Sequence, residues 1–282
     1  MIINHNLASI NANRTLNARS SDVSKVMEKL SSGERINRAG DDASGLAVSE
    51  KMRSQIAGLQ QASRNANAAI SFIQTTEGYL AEGHSILRRI RELSIQAANG
   101  IFTGEDRMMI QVEVSQMVAE IDRISQHAEY NGMRMLTGKF AAQAEGGAPA
   151  ASMWFHIGAN ADQRIQAFIG TMTSAGLQLT AENVSISTSD KANRTLGVID
   201  NAIKKVSKQR ADLGAYQNRL DHLIKGVDVA AENMIAAESN LRDANIADEM
   251  VKFARDQILL QSNMSMLAQA NMKNQAVLRL VG

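Results

Sequence analysis

Apolar residues fall into two long stretches with alternating steps of three and four, separated by a stretch without that rhythm. In the first, Met52, Ile56, Leu59, Ala66, Ile70, Ile73 and Leu80 lie on one seam, with Ser63 and Glu77 as polar exceptions. A mean spacing of about 3.5 residues marks a coiled-coil stripe. No proline interrupts residues 43–99, so one continuous helix is predicted, roughly 80 Å long at a rise of about 1.5 Å per residue. Asn99-Gly100 predicts its end. A second helix is predicted from Glu105 to Ala128, apolar at Met109, Val112, Met117, Val118, Ile121 and Ile124, and ended by Tyr130-Asn131-Gly132.

Helical character resumes at Lys191. Leu213, Tyr216, Leu220, Leu223, Val227, Ala230, Met234, Ala237, Leu241 and Ala244 continue the three-four alternation without a break. Two such seams predict antiparallel packing and an elongated helical hairpin, mainly α, with both chain ends together. Residues 133–190 have a different character: several glycines, Trp154 and Phe155, and three β-compatible runs at Ser152–Gly158, Gln163–Gly170 and Asn183–Thr188. They predict a small β-containing insert. The expected organisation is a terminal-helix domain of residues 1–42 and 240–282 and a surrounding helical domain of residues 43–239.

The ends have a pattern of their own. Met250, Val251, Phe253, Ala254, Ile258, Leu259, Leu260, Met264, Met266, Leu267, Ala268 and Ala270 cannot share one helix face. A helix that is apolar most of the way round is covered on several sides. The N-terminal run, with Ile2, Ile3, Leu7, Ile10, Leu16, Val23, Met27 and Leu30, supplies one covering face. Other copies of the chain are expected to supply the rest, so that both ends gain order on polymerisation.

Composition narrows the chemistry. Of 282 residues 44% are hydrophobic but only 4% aromatic, which suits helix-on-helix packing through Ala, Leu, Ile, Val and 15 Met. Thirty basic and 29 acidic residues leave a formal net charge of +1, without the basic footprint of a nucleic-acid binder. There is no cysteine, hence no disulfide, thiolate nucleophile or Cys-based zinc site. His5, His84, His127, His156 and His222 are scattered without ligand spacing, and no cofactor is expected. Asp41-Asp42, before Ala43, reads as a helix cap rather than a catalytic pair, with Gly33, Gly40 and Gly45 letting the chain turn between domains. No enzyme is indicated. The N-terminus lacks the basic and apolar regions of a secretory signal. Residues 257–272 are uncharged but shorter than the ~20 apolar residues of a membrane span, and no stable membrane insertion is expected.

Leu30–Asn37, Asp41–Ala47 and Leu87–Asn99 resemble the N-terminal signature of bacterial flagellins, and Leu213–Leu220 with Glu232–Ser239 resemble the C-terminal one. The resemblance covers roughly the first 140 and last 90 residues. The insert, Ser152–Gly158 through Met172, is similar to the core flagellins of spirochaete periplasmic flagella. Arg242-Asp243-Ala244-Asn245 departs from the family pattern by placing Asn where many members have a second Asp. The resemblance implies a structural subunit that self-assembles into a flagellar filament for motility. Ile3, Leu7, Ile10, Leu16, Val23, Met27, Leu30, Val251, Ala254, Ile258, Leu260, Met264 and Leu267 would then serve polymerisation. Met52, Ile56, Leu59, Ile70, Ile73, Leu220, Leu223, Val227, Met234 and Leu241 would form the intramolecular coiled coil. It further implies export without a cleaved signal peptide through the flagellar apparatus, a chaperone, cap and hook-associated proteins, and sheath proteins around a periplasmic filament. Arg89, Leu93 and Glu113 match positions through which flagellins contact an innate immune receptor; ordinary helix packing is the simpler reading of them. The alternatives are a hook–filament junction protein and, from another class, a secreted membrane-active helical protein. The latter needs a Lys/Arg-rich polar face beside its apolar one, and the C-terminal stretch has none.

Overall fold

The computed structural model describes residues 6–141 and 152–281. Ile3, Pro149 and most of the linker before Ser152 lie outside the described residues. The chain is mainly helical. Its elements are α1 (Leu7–Ser32), α2 (Ala43–Ala98), α3 (Gly104–His127), β1 (Glu129–Tyr130), β2 (Met133–Arg134), β3 (Met153–His156), β4 (Arg164–Ala167), α4 (Ser189–Arg242) and α5 (Ile246–Val281). They form two compact units, one of Met1–Ile56 with Glu232–Gly282 and one of Ala57–Ala231. The boundaries expected at residues 42/43 and 239/240 lie within the first unit.

In the second unit, α2 buries Ala62, Ala66, Ala69, Ile73, Thr76, Leu80, Leu87, Ile90, Ser94 and Ala97, with half-buried Gly83 between Leu80 and Leu87. The seam keeps its heptad period, but alternate positions sit one residue earlier than expected. Ala62, Ala69 and Thr76 replace Ser63, Ile70 and Glu77. Small residues let the helix approach its neighbours closely, while Glu77 stays at the edge and pairs with Arg210 at 3.2 Å. Leu59 and Ile70 are accordingly half-buried, and Ile73 is fully buried.

Along α4 the seam starts earlier than its apolar residues announce, at Ala192, Thr195, Ile199, Ala202, Val206, Gln209 and Leu213. Thr195 and Gln209 hide it in the sequence because they are polar, yet both bond to backbone. Thr195 Oγ1 donates to Ser185 O (3.0 Å); Gln209 accepts from Gly170 N–H and donates to Phe168 O, each at 3.0 Å. Further on, Leu220 is buried, Leu223 and Val227 are half-buried, and Ala231 takes the buried place expected of Ala230. Arg91 meets Asp200 at 2.8 Å, and with Glu77–Arg210 this fixes α2 and α4 as antiparallel in this unit.

The insert differs from expectation in two places. Tyr130-Asn131-Gly132 does more than end α3: Asn131 and Gly132 both have positive φ, giving the two-residue turn of the β1–β2 hairpin. Asn183–Thr188 is not a strand. Its Val184 and Ile186 are buried, but helix side chains satisfy its backbone. Gln111 accepts from Ile186 N–H (2.7 Å) and donates to Val184 O (3.3 Å), as a neighbouring strand would. On α3, Val114 and Ile121 face the core while Met109 and Val112 face outward, the reverse of the expected placement for the latter two. Thr103 and Asp106 form a reciprocal capping box at its start.

Gly83, half-buried on α2, lines a partly open cavity of about 20 Å³, and a Cβ there would meet no atom within 4 Å. Gly83→Ala is therefore expected to stabilise the unit by about 1 kcal/mol, from helix propensity. An unchanged or lowered midpoint in chemical denaturation would contradict this.

Candidate assembly surface

The first unit begins with a joint. Gly33 ends α1 in the left-handed conformation, at φ 73°, and its N–H donates to Lys29 O. Asp41 and Asp42, read in the sequence as a helix cap before Ala43, divide the work. Asp42 Oδ1 accepts the Gly45 N–H at 2.8 Å and caps α2, whereas Asp41 Oδ2 accepts N–H bonds from Asn37 and Arg38 and closes the turn before it. These bonds hold both carboxyls below the usual carboxylate range. Gly45 is not a turn glycine; it lies in the first turn of α2, where a Cβ would meet Ile36 Cδ1 at 2.9 Å.

The joint is closed by charge. Arg35 N–H donates to Arg242 O (2.6 Å) and Ala244 N–H to Gly33 O (2.9 Å), so Ala244, counted with the α4 seam in the sequence, lies in a break between α4 and α5. Asn245 caps α5 through a bond from Ala247 N–H at 3.1 Å, so the family's missing Asp costs no acceptor. Arg242, only 9% exposed, reaches Glu34 (3.0 Å), Glu50 (2.6 Å) and buried Ser49. Arg53 bridges Glu34 and Glu238, each at 2.8 Å. The pairs 53–238 and 49–242 make α2 and α4 antiparallel here, with Met52, Ile56, Met234 and Leu241 half-buried.

Burial pushes the Glu34 carboxyl up, but the bonds and charges of Arg53 and Arg242 outweigh it and hold it below its ordinary value. A depressed carboxylate contributes stability that is complete above its unfolded pKa and is lost as pH falls through its folded pKa. Acid titration of unfolding should show this loss below about pH 4, and Glu34→Gln should remove part of that slope. An identical acid limb in both proteins would refute the assignment.

α1 and α5 run antiparallel, from Asn6 bonding to Ala270 O (3.0 Å) to Arg19 beside Asp256 (3.9 Å). Buried and half-buried positions recur on both in three-four steps: Leu16, Arg19, Val23, Val26 and Leu30 on α1; Phe253, Asp256, Leu260, Asn263, Leu267 and Ala270 on α5. Sequence reasoning missed Val26, the buried residue of α1, and the buried acids Glu249 and Asp256. The three-four spacing of Glu249, Phe253 and Asp256 carried the signal, but their charges obscured it. The remaining expected contact residues face outward. Leu7 (63% exposed), Ile10, Met27, Val251 (70%), Ala254, Ile258 (69%) and Met264 are exposed among the described residues. Exposed apolar residues in such number are what an interaction site presents.

In the second unit, Arg89 donates to Glu113 at 3.0 Å on the surface, while Leu93 is 2% exposed and belongs to the core. The Leu93 side chain is thus covered within its own unit, whereas Arg89 and Glu113 are exposed. An exposed ion pair such as Arg89–Glu113 adds little stability. Among the described residues no cluster of His, Asp or Glu has the arrangement of a metal site, and no helix is long and apolar enough to cross a membrane.

Comparison with known proteins agrees with this arrangement. Residues 3–141 match the bacterial flagellin N-terminal helical region and residues 196–281 the C-terminal helical region. A flagellar filament core protein of Brachyspira hyodysenteriae is 62% identical, and the flagellar filament 33 kDa core protein of Treponema phagedenis 61%, each over 100% of both chains. A putative flagellar hook-associated protein from Vibrio parahaemolyticus, 13% identical with a TM-score of 0.59 over 72% of this chain and 100% of that one, shares the fold alone. Paired terminal helices with an uncovered outer face, two matching family regions and full-length relatives lead to one conclusion: the chain belongs to the bacterial flagellin family, whose members are structural and non-enzymatic subunits of the flagellar filament.

Proposed function

We propose that this filament subunit polymerises by burying the outward faces of α1 and α5 against neighbouring copies, and that the filament is periplasmic. The observation that carries the first part is the row Val251, Ala254, Ile258, exposed on a helix whose opposite side is already packed. Water-exposed apolar area of this extent is stabilised by any contact that removes it, at about 25 cal/mol per Å². Ordering the helix ends opposes that gain, so both ends gain order as neighbours arrive. The periplasmic location rests on similarity to the filament core proteins of Brachyspira and Treponema. Partners of the same reading are the export apparatus and its chaperone, the cap and hook-associated proteins, and a sheath.

Seeded growth tests the reading. Purified full-length protein with short filament seeds should elongate under the electron microscope, and a chain truncated after Asn245 should not, while its second unit keeps its helical signal. Elongation by the truncated chain would refute the role of α5.

A further inference from the structure

The two hairpins of the second unit leave between them a cleft of about 300 Å³, floored by α2 and walled by Tyr130 and Met133 on one side and β3 on the other. No charged side chain lines it. In a chain with ten aromatic residues, four of them (Phe72, Tyr130, Trp154 and Phe155) meet here. Phe72 stacks edge-on against Tyr130 and Phe155, which fixes the floor.

Among the described residues the strand beside this cleft has a free edge. β3 and β4 are antiparallel, with Trp154 opposite Gln166 and His156 opposite Arg164. Ile157 N–H donates to Gln163 O at 2.9 Å, so hydrogen-bonded pairs fall at 157, 155 and 153. Trp154 and His156 then turn their backbone N–H and C=O groups away from β4, toward the cleft. Asn65 Nδ2 donating to His156 O at 3.1 Å confirms that direction. Among the described residues nothing bonds the backbone N–H or C=O of Trp154. Edge strands are ordinarily guarded by charge, proline or a bulge. β4 carries Arg164, but β3 carries neither a Lys, Arg, Asp or Glu nor a proline. Trp154, 47% exposed, is held by the Arg164 guanidinium 4.3 Å from its ring centre.

We propose that the β3 edge and the adjoining cleft form a β-addition site for an extended, uncharged segment of a different polypeptide. Its backbone would pair with Trp154, and an apolar side chain would seat over Phe72. An exposed edge supplies main-chain bonds, and the pocket next to it supplies selection of alternate side chains. The uncharged lining excludes acidic and basic segments, since a charge seated there would lose its hydration without a partner. Among the described residues of a second copy the strands are already paired in hairpins, and the extended segment Asn183–Thr188 has its backbone bonded by Gln111 and Thr195.

Trp154 is the single tryptophan, so its fluorescence reports on this site alone. Dilute full-length protein would be titrated with the capped peptide Thr-Val-Thr-Val-Thr, with its alternately N-methylated form, and with Thr-Glu-Thr-Glu-Thr. Amide shifts of Trp154 and His156 would be followed in parallel. Saturable binding of the first peptide is expected, weakened at least tenfold by N-methylation, by the Glu residues, and by Ala68→Arg, an exposed position on the cleft rim. Equal binding of the methylated peptide, no saturable response, or self-association through β3 without peptide would overturn the proposal.

Discussion

Val251→Glu combined with Ile258→Glu should abolish seeded filament growth at concentrations where the parent elongates. Both side chains are about 70% exposed in the single chain, at 70% and 69%, so the substitutions place charge in water and leave the monomer's thermal midpoint nearly unchanged. In a polymer that covers this face, two carboxylates must be desolvated without partners, at several kcal/mol each. Even about 2.7 kcal/mol raises a critical concentration roughly a hundredfold. Leu260→Glu, on the side facing α1, is the contrasting case: it should loosen the α1–α5 pair in the monomer itself. Sedimentation of subunit from filament, beside circular dichroism of the monomer, separates the two outcomes. Normal elongation by the double variant would mean that the outward face of α5 is not an assembly contact.

Arg242→Met should destabilise the first unit by about 3 kcal/mol, at the lower end of what breaking a buried ion pair costs. The reason for the lower end is visible in the network: Glu34 keeps Arg53 at 2.8 Å after Arg242 is gone, and Glu50 is more than half exposed. Ser49, fully buried, loses the Arg242 partner as well. Adding Glu34→Met should recover part of the loss, because Glu34 has then lost one of its two arginine partners while Arg53 keeps Glu238 at 2.8 Å. Thermal unfolding followed by proteolysis at residues 33–42 would read this directly. A loss under 1 kcal/mol, or none recovered in the double variant, would contradict the part assigned to this joint.

Much of this architecture is legible in the sequence because it rests on period rather than on residue identity. The seams of α2 and α4, the stop at Asn99-Gly100 and the cap at Asp42 all follow from spacing and local backbone chemistry. Period reading fails where a seam position is polar. Thr76, Thr195, Gln209 and Asp256 are buried, and a search for apolar residues passes over them. That is why the α2 seam was expected at Ser63, Ile70 and Glu77, and why the α4 seam was expected to begin only at Leu213. The insert resisted for another reason. Asn183–Thr188 has strand composition, but Gln111 of α3, distant in sequence, and Thr195 of the α4 that follows it supply its backbone bonds. That α5 keeps exposed apolar residues beside those packed on α1 was legible in its apolar positions all round. Which side faced α1 was not, because the deciding residues Glu249 and Asp256 carry charge.

Amide hydrogen exchange, compared between dilute monomer and assembled filament, tests the central claim most directly. Residues 7–32 and 246–272 should exchange quickly in the monomer, where Leu7, Ile10, Val251 and Ile258 are uncovered, and gain strong protection on assembly. The core of the second unit, around Ile73, Leu87 and Ile199, should be protected in both states. Equal and strong protection of both end helices in the monomer and the filament would contradict the account.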